Sequence, residues 1–409
     1  MQVVVVGAGI VGLSVADALL DRGISVTVVE RETGESGCSF GNGGLIVPSH
    51  FVPLAAPGMI AMGMRMMADR RSPFGIAKLD LPTLAWSARF ALAGTKAHAE
   101  RCAPLLRDMN LASREMFTRL AGEMGVPFTR NGLLMLSRTQ KAQDGEAHLA
   151  DDANRLGLKT TVLSRDEVAK MEPDVTMDVA GAVFFEDDAH LTPAQFMRAF
   201  RTRIESRGAK FVTAEVTGFR REGRKVVAVK TGSTELPADE VVVAAGSWTG
   251  ELAKAVGLRL PLMAGRGYGI TAPTPPQMPR LPAILTEARV AVTPMADGLR
   301  FVGTLELAGP VLKPTSPRVD AMRENVSQYY PAFRPEHLSG PVWCGLRPCS
   351  PDGMPYVGRT GKAENVILAT GHAMMGMSLG PITGRLVAET IAGDAASLPL
   401  ELLSPDRYA

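Results

Sequence analysis

A strand, a glycine-rich turn and a helix follow one another within the first twenty residues of the chain. The β-branched run VVVV at residues 3–6 leads directly into Gly7, Gly9 and Gly12, and an apolar helical run follows. In this arrangement the first glycine makes a tight turn, the second lets the backbone approach a pyrophosphate, and the third lets the helix pack closely on the strand. Glu30 ends the next apolar run, where its carboxylate can accept a hydrogen bond from a ribose 2′-hydroxyl. The order of these features predicts a dinucleotide-binding unit.

Composition excludes several other classes of protein. The 409 residues are enough for two domains, and 46% hydrophobic with 21% charged residues is typical of a globular protein with a substantial core. A net charge of +2 gives no electrostatic reason to expect nucleic acid as a partner. The cysteines show neither CxxC spacing nor a regular ladder, so we expect no metal site, no disulfide framework and a reducing compartment. They are Cys38, Cys102, Cys344 and Cys349.

The chain is predicted to be cytoplasmic. Its N-terminal apolar run lacks the basic start of a signal peptide and is better explained as the first strand. The longest stretch without Asp, Glu, Lys or Arg, residues 36–64, is interrupted by glycines and prolines. It therefore cannot form an uninterrupted membrane-spanning helix, and we interpret it as a loop that folds over a ligand.

The remaining pattern predicts two domains. Residues 81–124 have helical periodicity, whereas residues 266–301 alternate short strands with prolines, as in an antiparallel sheet. Early and late strands are expected to share one parallel sheet. The predicted fold class is therefore α/β, with a discontinuous Rossmann-type nucleotide-binding domain and a second α+β domain built on an antiparallel sheet. The predicted nucleotide-binding domain comprises residues 1–80, 150–258 and 342–409, and the second domain comprises residues 81–149 and 259–341.

Separated segments of the chain resemble one family of flavoenzymes. The segments are GAGIVG at 7–12 with Glu30, SFGNGG at 39–44, VVVAAGSWTG at 241–250, GLRPCSPDGMPYVG at 345–358 and ATGHAMMGMSLGP at 369–381. Together they resemble the D-amino-acid oxidase and dehydrogenase family of FAD enzymes, over nearly the whole chain. SFGNGGLIVPSHFVPLAAPG and RGYGIT are most similar to bacterial D-amino-acid dehydrogenases, including those that act on D-proline and hydroxy-D-proline. The resemblance implies oxidative deamination by hydride transfer from Cα to flavin N5, giving an imine and then a 2-oxo acid.

The same resemblance implies which residues hold FAD. The glycines of the first turn would contact the pyrophosphate and Glu30 the adenosine ribose, while the loop at 39–44 would lie along the ribityl chain and the isoalloxazine. His372 is expected to contribute its backbone and not a catalytic imidazole. No cysteine matches a known attachment position, so FAD is expected to be non-covalent. The residues implied are Gly7, Gly9, Gly12, Glu30, Arg31, Ser39, Asn42, Gly43, Gly44, Val216, Ala245, Gly246, Trp248, Gly371, His372, Gly376 and Met377.

Three residues are candidates for the substrate site. Arg347, in GLRP, matches the family's anchor for the substrate carboxylate, which a guanidinium can bind in bidentate fashion. The alternative, a solvated surface arginine, fits poorly between an apolar strand and a proline turn. Tyr268 either lines the substrate cavity or is an ordinary strand tyrosine with its hydroxyl at the surface. His50 is either a pocket residue or a loop histidine without a role.

The sequence leaves the electron acceptor and the partners open. A quinone or an electron carrier is favoured over O2, and the apolar, Met-rich region 57–94 is a candidate for peripheral association with a membrane or a larger complex. The alternatives to a D-amino-acid dehydrogenase are a glycine- or sarcosine-type oxidase, a flavoprotein redox subunit of a complex, and a non-catalytic nucleotide sensor. A sensor would have no use for the carboxylate anchor at Arg347.

Overall fold

The β-branched N-terminal run forms the centre of a parallel sheet in the computed structural model, which describes residues 1–32, 34–35, 37–67, 69–232, 234–307 and 309–409 apart from the side chains of residues 64, 66 and 67. The helices are α1 (Ile10–Leu20), α2 (Met59–Met67), α3 (Leu81–Ala93), α4 (Lys96–Met124), α5 (Gln140–Arg155), α6 (Arg165–Met171), α7 (Pro193–Ser206), α8 (Thr249–Ala255), α9 (Ser316–Tyr329) and α10 (Gly376–Ala392). The strands are β1 (Gln2–Val6), β2 (Ser25–Glu30), β3 (Leu45–Ile46), β4 (Phe74–Ile76), β5 (Phe128–Thr129), β6 (Leu133–Ser137), β7 (Thr160–Ser164), β8 (Gly181–Phe185), β9 (Ala189–Leu191), β10 (Lys210–Thr213), β11 (Val216–Glu222), β12 (Lys225–Thr231), β13 (Thr234–Pro237), β14 (Glu240–Val243), β15 (Met263–Ala272), β16 (Ala283–Leu285), β17 (Val290–Met295), β18 (Gly298–Leu307), β19 (Trp343–Cys349), β20 (Tyr356–Arg359) and β21 (Val366–Thr370).

The first sheet has the order β10-β2-β1-β14-β21-β20, in which only the edge strand β20 runs antiparallel to its neighbour. Both faces of β1 are covered. Val3 and Val5 pack with apolar residues of α1 and α10, whereas Val4 and Val6 pack with residues of β12 and α8. An uninterrupted apolar run is what a parallel strand buried on both faces requires, since alternate side chains enter different cores.

The second sheet has the order β19-β15-β18-β17-β16-β6-β8-β7, with β4 alongside β18. Its pairs are antiparallel apart from β16 with β6 and β18 with β4. The predicted fold class is therefore confirmed: a Rossmann-type parallel sheet and a largely antiparallel second sheet in one α/β chain.

The predicted domain boundaries differ from the sheet membership of four strands. β4, β7, β8 and β19 lie within the segments predicted for the nucleotide-binding domain, yet all of them pair in the second sheet. The chain crosses between the sheets more often than the boundaries allow. Local sequence does not reveal these crossings because the sheet that a strand joins depends on partner strands far away in the chain.

The region 57–94 forms α2, β4 and α3, although part of its methionine-rich face lies outside the described residues. α3 is held by Trp86, which is buried and donates its indole N–H to the carbonyl of Cys349 at 3.0 Å. Its opposite face is apolar and open, with Leu81 82% and Leu92 80% exposed. Among the residues that the structure describes, no helix has both the length and the hydropathy needed to span a membrane.

Candidate active site

A cavity of about 650 Å³ lies where the first sheet meets the second. The ends of β1, β14 and β21 and the N-termini of α1 and α10 form one wall, and residues of β18 and β19 form the other. Openings outside the carboxyl ends of parallel strands are the usual ligand sites of open α/β sheets. The cavity is therefore the candidate active site.

The glycine turn brings backbone to the cavity at two points. A Cβ on Gly7 would lie 2.5 Å from the carbonyl oxygen of Ala244, and Gly7 has a φ of +107°, so only glycine fits there. A Cβ on Gly12 would lie 1.9 Å from the carbonyl oxygen of Gly7. Gly12 therefore permits the close packing of the helix on the strand that the sequence predicted, although it does not line the cavity. Gly7 and Gly9 line the cavity directly.

The carboxylate of Glu30 braces this turn while lining the cavity. Its two oxygens accept backbone hydrogen bonds from Ala8 at 2.8 Å and from Arg31 at 2.9 Å. The hydroxyl oxygen of Ser39 accepts the backbone N–H of Ile10, the first residue of α1, at 2.9 Å. Both contacts draw separate segments of chain around the helix N-terminus.

Two helix N-termini point into the cavity, because Gly376 and Met377 at the start of α10 line it as well as Ile10 at the start of α1. Neither helix has an acidic residue in its first turn. The positive ends of both helix dipoles are therefore available to a phosphate or to the negative charge of a reduced flavin. Beside them, the buried ring of His372 is 2.9 Å from the hydroxyl of Thr383, and burial lowers the pKa of His372 to about 4. The imidazole is consequently neutral at physiological pH.

Residues of the second sheet hold the loop at 39–44 against the cavity. Thr293 donates its hydroxyl to the carbonyl of Gly43 at 2.7 Å, and Arg300 donates to the carbonyls of Phe40 at 3.3 Å and Asn42 at 3.2 Å. Within the loop, the side-chain oxygen of Asn42 accepts the N–H of Gly44 at 2.8 Å. Gly44 itself is turned away from the cavity, towards the carbonyl of Leu191.

A further group of lining residues comes from the residue after β2, from β11 and from the turn after β14. The guanidinium of Arg31 lies over the ring of Trp248, 3.8 Å from its centre. Val216, Ala245 and Gly246 complete this part of the lining. A flat surface of this kind suits stacking with a base or ring of a bound nucleotide.

Arg347 enters the same cavity from β19. Its Nη1 donates to the carbonyl of Thr304, and in the part of the chain that the structure describes it forms no salt bridge. Burial lowers the pKa of the Arg347 guanidinium, which nevertheless stays protonated because arginine starts from a very high pKa. An unneutralised cation in a cavity wall provides an anion site.

Tyr268 lies on the other face of its strand, which differs from the prediction that it lines the substrate cavity. Its buried hydroxyl donates to Glu306 at 2.7 Å and lies 3.0 Å from the hydroxyl of Thr315. Burial alone would raise the pKa of Glu306, but the hydrogen bond from Tyr268 and the charge of Arg266 lower it below its usual range. Because side chains alternate along a strand, Tyr268 and Arg347 are separated by the sheet itself.

His50 lies outside the cavity lining, beside the buried polar residues Ser49 and Asp188. Its Nδ1 is 3.1 Å from the hydroxyl of Ser49, which in turn donates to Asp188 at 2.6 Å. Burial, with a smaller effect from Arg289, lowers the pKa of His50 to about 4, and burial raises the pKa of Asp188 to about 7. These contacts hold the loop after β3 in place.

The cavity brings together most of the residues implied by the sequence. Those that line it are Gly7, Gly9, Glu30, Arg31, Ser39, Asn42, Gly43, Val216, Ala245, Gly246, Trp248, Arg347, His372, Gly376 and Met377. Those outside its lining are Gly12, Gly44, His50, Tyr268 and Gly371. Sequence reasoning missed Val302, Leu312 and Trp343 in the lining, and Thr293 and Arg300 behind the loop.

The lining offers partners for each part of a dinucleotide. Two helix N-termini, the carboxylate of Glu30 and the Arg31–Trp248 stack offer partners for phosphates, ribose and rings. The indole N–H of Trp343, also in the lining, is buried and has no hydrogen-bond partner among the described residues. Within the same described part of the chain, no three His, Cys, Asp or Glu side chains are grouped to bind a metal.

Comparison with known proteins also identifies an FAD-binding chain, and the matches extend over nearly all of its length. Residues 2–390 match the family model described as FAD dependent oxidoreductase. The chain is 31% identical to a D-amino-acid oxidase from Bradyrhizobium diazoefficiens, over 100% of this chain and 99% of that protein. It is 27% identical to a D-amino acid dehydrogenase from Helicobacter pylori, over 95% and 94%.

Solved structures share the fold. A glycine oxidase from Geobacillus kaustophilus matches with a TM-score of 0.80 at 21% identity, covering 100% of this chain and 99% of that one. An L-proline dehydrogenase from P. horikoshii matches with a TM-score of 0.77 at 22% identity, covering 100% and 97%. The match to the family model and the 31% identity over the whole chain establish that the chain belongs to the DAO family of FAD-dependent oxidoreductases.

Proposed function

We propose that the protein is a D-amino-acid dehydrogenase that oxidises the Cα–N bond of its substrate to an imine. The observation that carries the proposal is Arg347, an arginine without a salt-bridge partner among the described residues, in the wall of the FAD cavity. The full-length relatives named D-amino-acid oxidase and D-amino acid dehydrogenase support the choice of D-amino acids. Bound FAD supplies the acceptor for the two electrons and the hydrogen that leave Cα.

The residues around Arg347 would position the substrate and exclude water. A bidentate pair between the guanidinium and the substrate carboxylate fixes the orientation of Cα as well as the affinity. Val302, Leu312 and Trp343 line the cavity with apolar surface, which suits an uncharged substrate side chain. D-Proline and hydroxy-D-proline meet these requirements and would leave as cyclic imines, whereas open-chain imines hydrolyse in water to a 2-oxo acid and ammonia.

We assign the amine proton to solvent. The amine must lose a proton before its lone pair can assist the departure of hydrogen from Cα. The imidazole of His372 is committed to Thr383, and the hydroxyl of Tyr268 lies behind the sheet in contact with Glu306. Neither group is placed to accept that proton.

FAD is proposed to be bound without a covalent link. Burial raises the pKa of the thiols of Cys38 and Cys344, and raises the pKa of Cys349 to about 12. A thiol is a nucleophile only as the thiolate, so these side chains are poorly reactive at neutral pH.

The proposed reaction is tested by anaerobic mixing of the purified holoenzyme with D- and L-amino acids, glycine, sarcosine and the two enantiomers of proline. We expect D-amino acids with uncharged side chains to bleach the absorption of the oxidised flavin. Reduction by the L-enantiomers should be at least tenfold slower, because a fixed carboxylate lets only one enantiomer direct its Cα–H to the flavin. Reduction by glycine or sarcosine alone would replace the proposal with an oxidase of that type. Reduced enzyme mixed with a soluble quinone or with O2 then distinguishes the acceptors, and we expect the quinone to react faster.

The exposed face of α3 is proposed to bind an anionic membrane surface, where a quinone would be available. Leu81, Leu84 and Leu92 lie on one exposed side of the helix. The basic residues closest in sequence are Arg89, within the helix, and Lys78, which pairs with Asp80 at 3.1 Å just before it. Apolar side chains enter the headgroup region while basic ones meet acidic lipids. Trp86 on the opposite side keeps α3 attached to the fold.

We expect the variant carrying both Leu81→Ser and Leu92→Ser to bind phosphatidylglycerol vesicles at least tenfold more weakly than the native protein, since each buried leucine contributes roughly 1.5–3 kcal/mol. Vesicle flotation measures the partition. Val162→Ser, which removes an exposed apolar side chain from the distant strand β7, is the matched control and should float as the native protein does. Equal flotation of the α3 variant, or equal binding to neutral phosphatidylcholine vesicles, would contradict the proposal.

A further inference from the structure

Three alternate residues of β15, Gly265, Gly267 and Gly269, are glycines on the side of the sheet that faces the cavity. The strand reads MAGRGYGITA, and its neighbour β19 places Arg347 opposite Gly265 and Trp343 opposite Gly269. Arg266 and Tyr268 occupy the other face of β15, where they contact Glu306. The glycines therefore leave a groove on the face where the two large side chains of β19 lie.

Gly267 is the glycine on which the Arg347 side chain rests. A Cβ at Gly267 would lie 2.1 Å from Nη1, 2.3 Å from Cζ and 2.4 Å from Nη2 of Arg347. The guanidinium thus occupies the volume that any other residue at this position would fill. The backbone of Gly267 is not left-handed, so an alanine there is compatible with the strand itself.

The other contact of the guanidinium is with an irregular point in the sheet. The register of β15 with β18 shifts between Arg266 and Tyr268, and Thr304 in this bulge has a φ of +69°. That conformation is rare and strained for a β-branched residue. It brings a carbonyl oxygen out of the regular ladder, and that oxygen accepts the hydrogen bond from Nη1 of Arg347.

We propose that Gly267 is a positioning residue for substrate binding: its missing side chain lets the Arg347 guanidinium lie flat on β15, held by the Thr304 carbonyl, with its remaining donors free for a carboxylate. The inference rests on the proposed function of Arg347 as the carboxylate anchor. It extends that function to a residue that touches neither substrate nor cofactor. A charged partner is absent among the described neighbours of Arg347, so the space above Gly267 and the hydrogen bond to the Thr304 carbonyl set the direction of the guanidinium.

The test is a titration of the Gly267→Ala holoenzyme with propionate while flavin absorption is recorded. Propionate has a carboxylate but no amine, so it can bind without being oxidised as a substrate. We expect the Kd of propionate to rise about tenfold or more, because the methyl group displaces the guanidinium fork. Binding of the uncharged propionamide should stay within about twofold of native, as should FAD retention, and Tm should shift by no more than a few degrees. A merely structural role would lower Tm and affect both ligands alike.

Two controls separate the possible failures. Gly218→Ala places the same change in β11, where the new methyl group would have no atom within 4 Å other than those of Gly218 and its chain neighbours, and should leave propionate binding unchanged. Arg347→Lys, alone and combined with Gly267→Ala, forms a double-mutant cycle in which the second change should add little to the first. Full additivity, or unchanged propionate binding in Gly267→Ala, would overturn the positioning role. Unchanged propionate binding in Arg347→Lys would instead overturn the anchor in the proposed function.

Discussion

Arg347→Lys is expected to slow flavin reduction by D-amino acids by about 10²-fold or more, because an ammonium cannot reproduce the bidentate geometry of a guanidinium and misorientation costs rate as well as binding. The change keeps the positive charge, so a loss of this size would report geometry and not electrostatic attraction. Stopped-flow reduction under anaerobic conditions with paired D- and L-substrates measures it. FAD content should stay near native, since Arg347 contacts the backbone of Thr304 and is assigned to the substrate.

Arg359→Lys is the matched control for this experiment. Arg359 pairs with Glu240 at 2.8 Å near the edge of the first sheet and is not part of the cavity lining. Its replacement should leave the reduction rate within about twofold of native, because surface and partly exposed pairs contribute little. Equal rates for native protein and Arg347→Lys would remove the anchor, and faster reduction by the L-enantiomers would remove the assignment to D-amino acids.

The N-terminal unit was predictable because its structure is determined locally. The apolar run at 3–6 is β1, the helix begins directly after Gly9, and Glu30 is the last residue of β2. Each of these features follows from residues within a few positions of one another, such as the turn that only glycine permits at Gly7. The match of the late segments to flavoenzymes extended the prediction to the second helix N-terminus at Gly376.

The face of β15 could not be read from the sequence. RGYGIT has a tyrosine between two glycines, and a cavity-facing tyrosine was a reasonable expectation. The structure instead turns Gly267 towards the cavity and Tyr268 towards Glu306. Whether odd or even residues of a strand face a cavity depends on its partner strands, and β19 lies about 80 residues further along the chain. The large side chain in the cavity, Arg347, comes from β19. The alternating glycines of β15 were the feature of the sequence that indicated room for it.

The sheet that a strand joins also depends on residues far away in the sequence. β7 and β8 pair with each other and, through β6, with β16, more than a hundred residues away in sequence. Nothing in the composition of residues 150–190 distinguishes strands of one sheet from strands of the other. The buried cluster of Arg266, Glu306 and Arg318 could not be predicted for a related reason: single charged residues of two strands and a helix are typical of exposed positions until their partners are known.

Glu30→Ala is expected to weaken FAD binding by at least about tenfold, because a charge-assisted hydrogen bond to the ribose contributes roughly 1.5–3 kcal/mol. The structure adds a second reason. The carboxylate also accepts the N–H groups of Ala8 and Arg31, so its removal loosens the turn that presents Gly7 and Gly9 to the pyrophosphate. The Kd of FAD for the apoprotein, followed by quenching of flavin fluorescence, and the Tm of the apoprotein together separate the two effects.

Glu30→Gln distinguishes the braced turn from the ribose contact. Glutamine keeps one acceptor oxygen for a backbone N–H but loses the charge, so we expect a Tm closer to native than that of Glu30→Ala, with FAD binding still weakened. Glu364→Ala, an exposed acid outside the cavity lining, is the control for the loss of a negative charge and should leave both quantities unchanged. A native Kd for FAD in both Glu30 variants would show that the carboxylate makes no contact with the cofactor. If the Kd for FAD is native but the Tm is lowered, the role of Glu30 is limited to stabilising the turn. The loss of a backbone acceptor destabilises that loop whether or not a ribose is present.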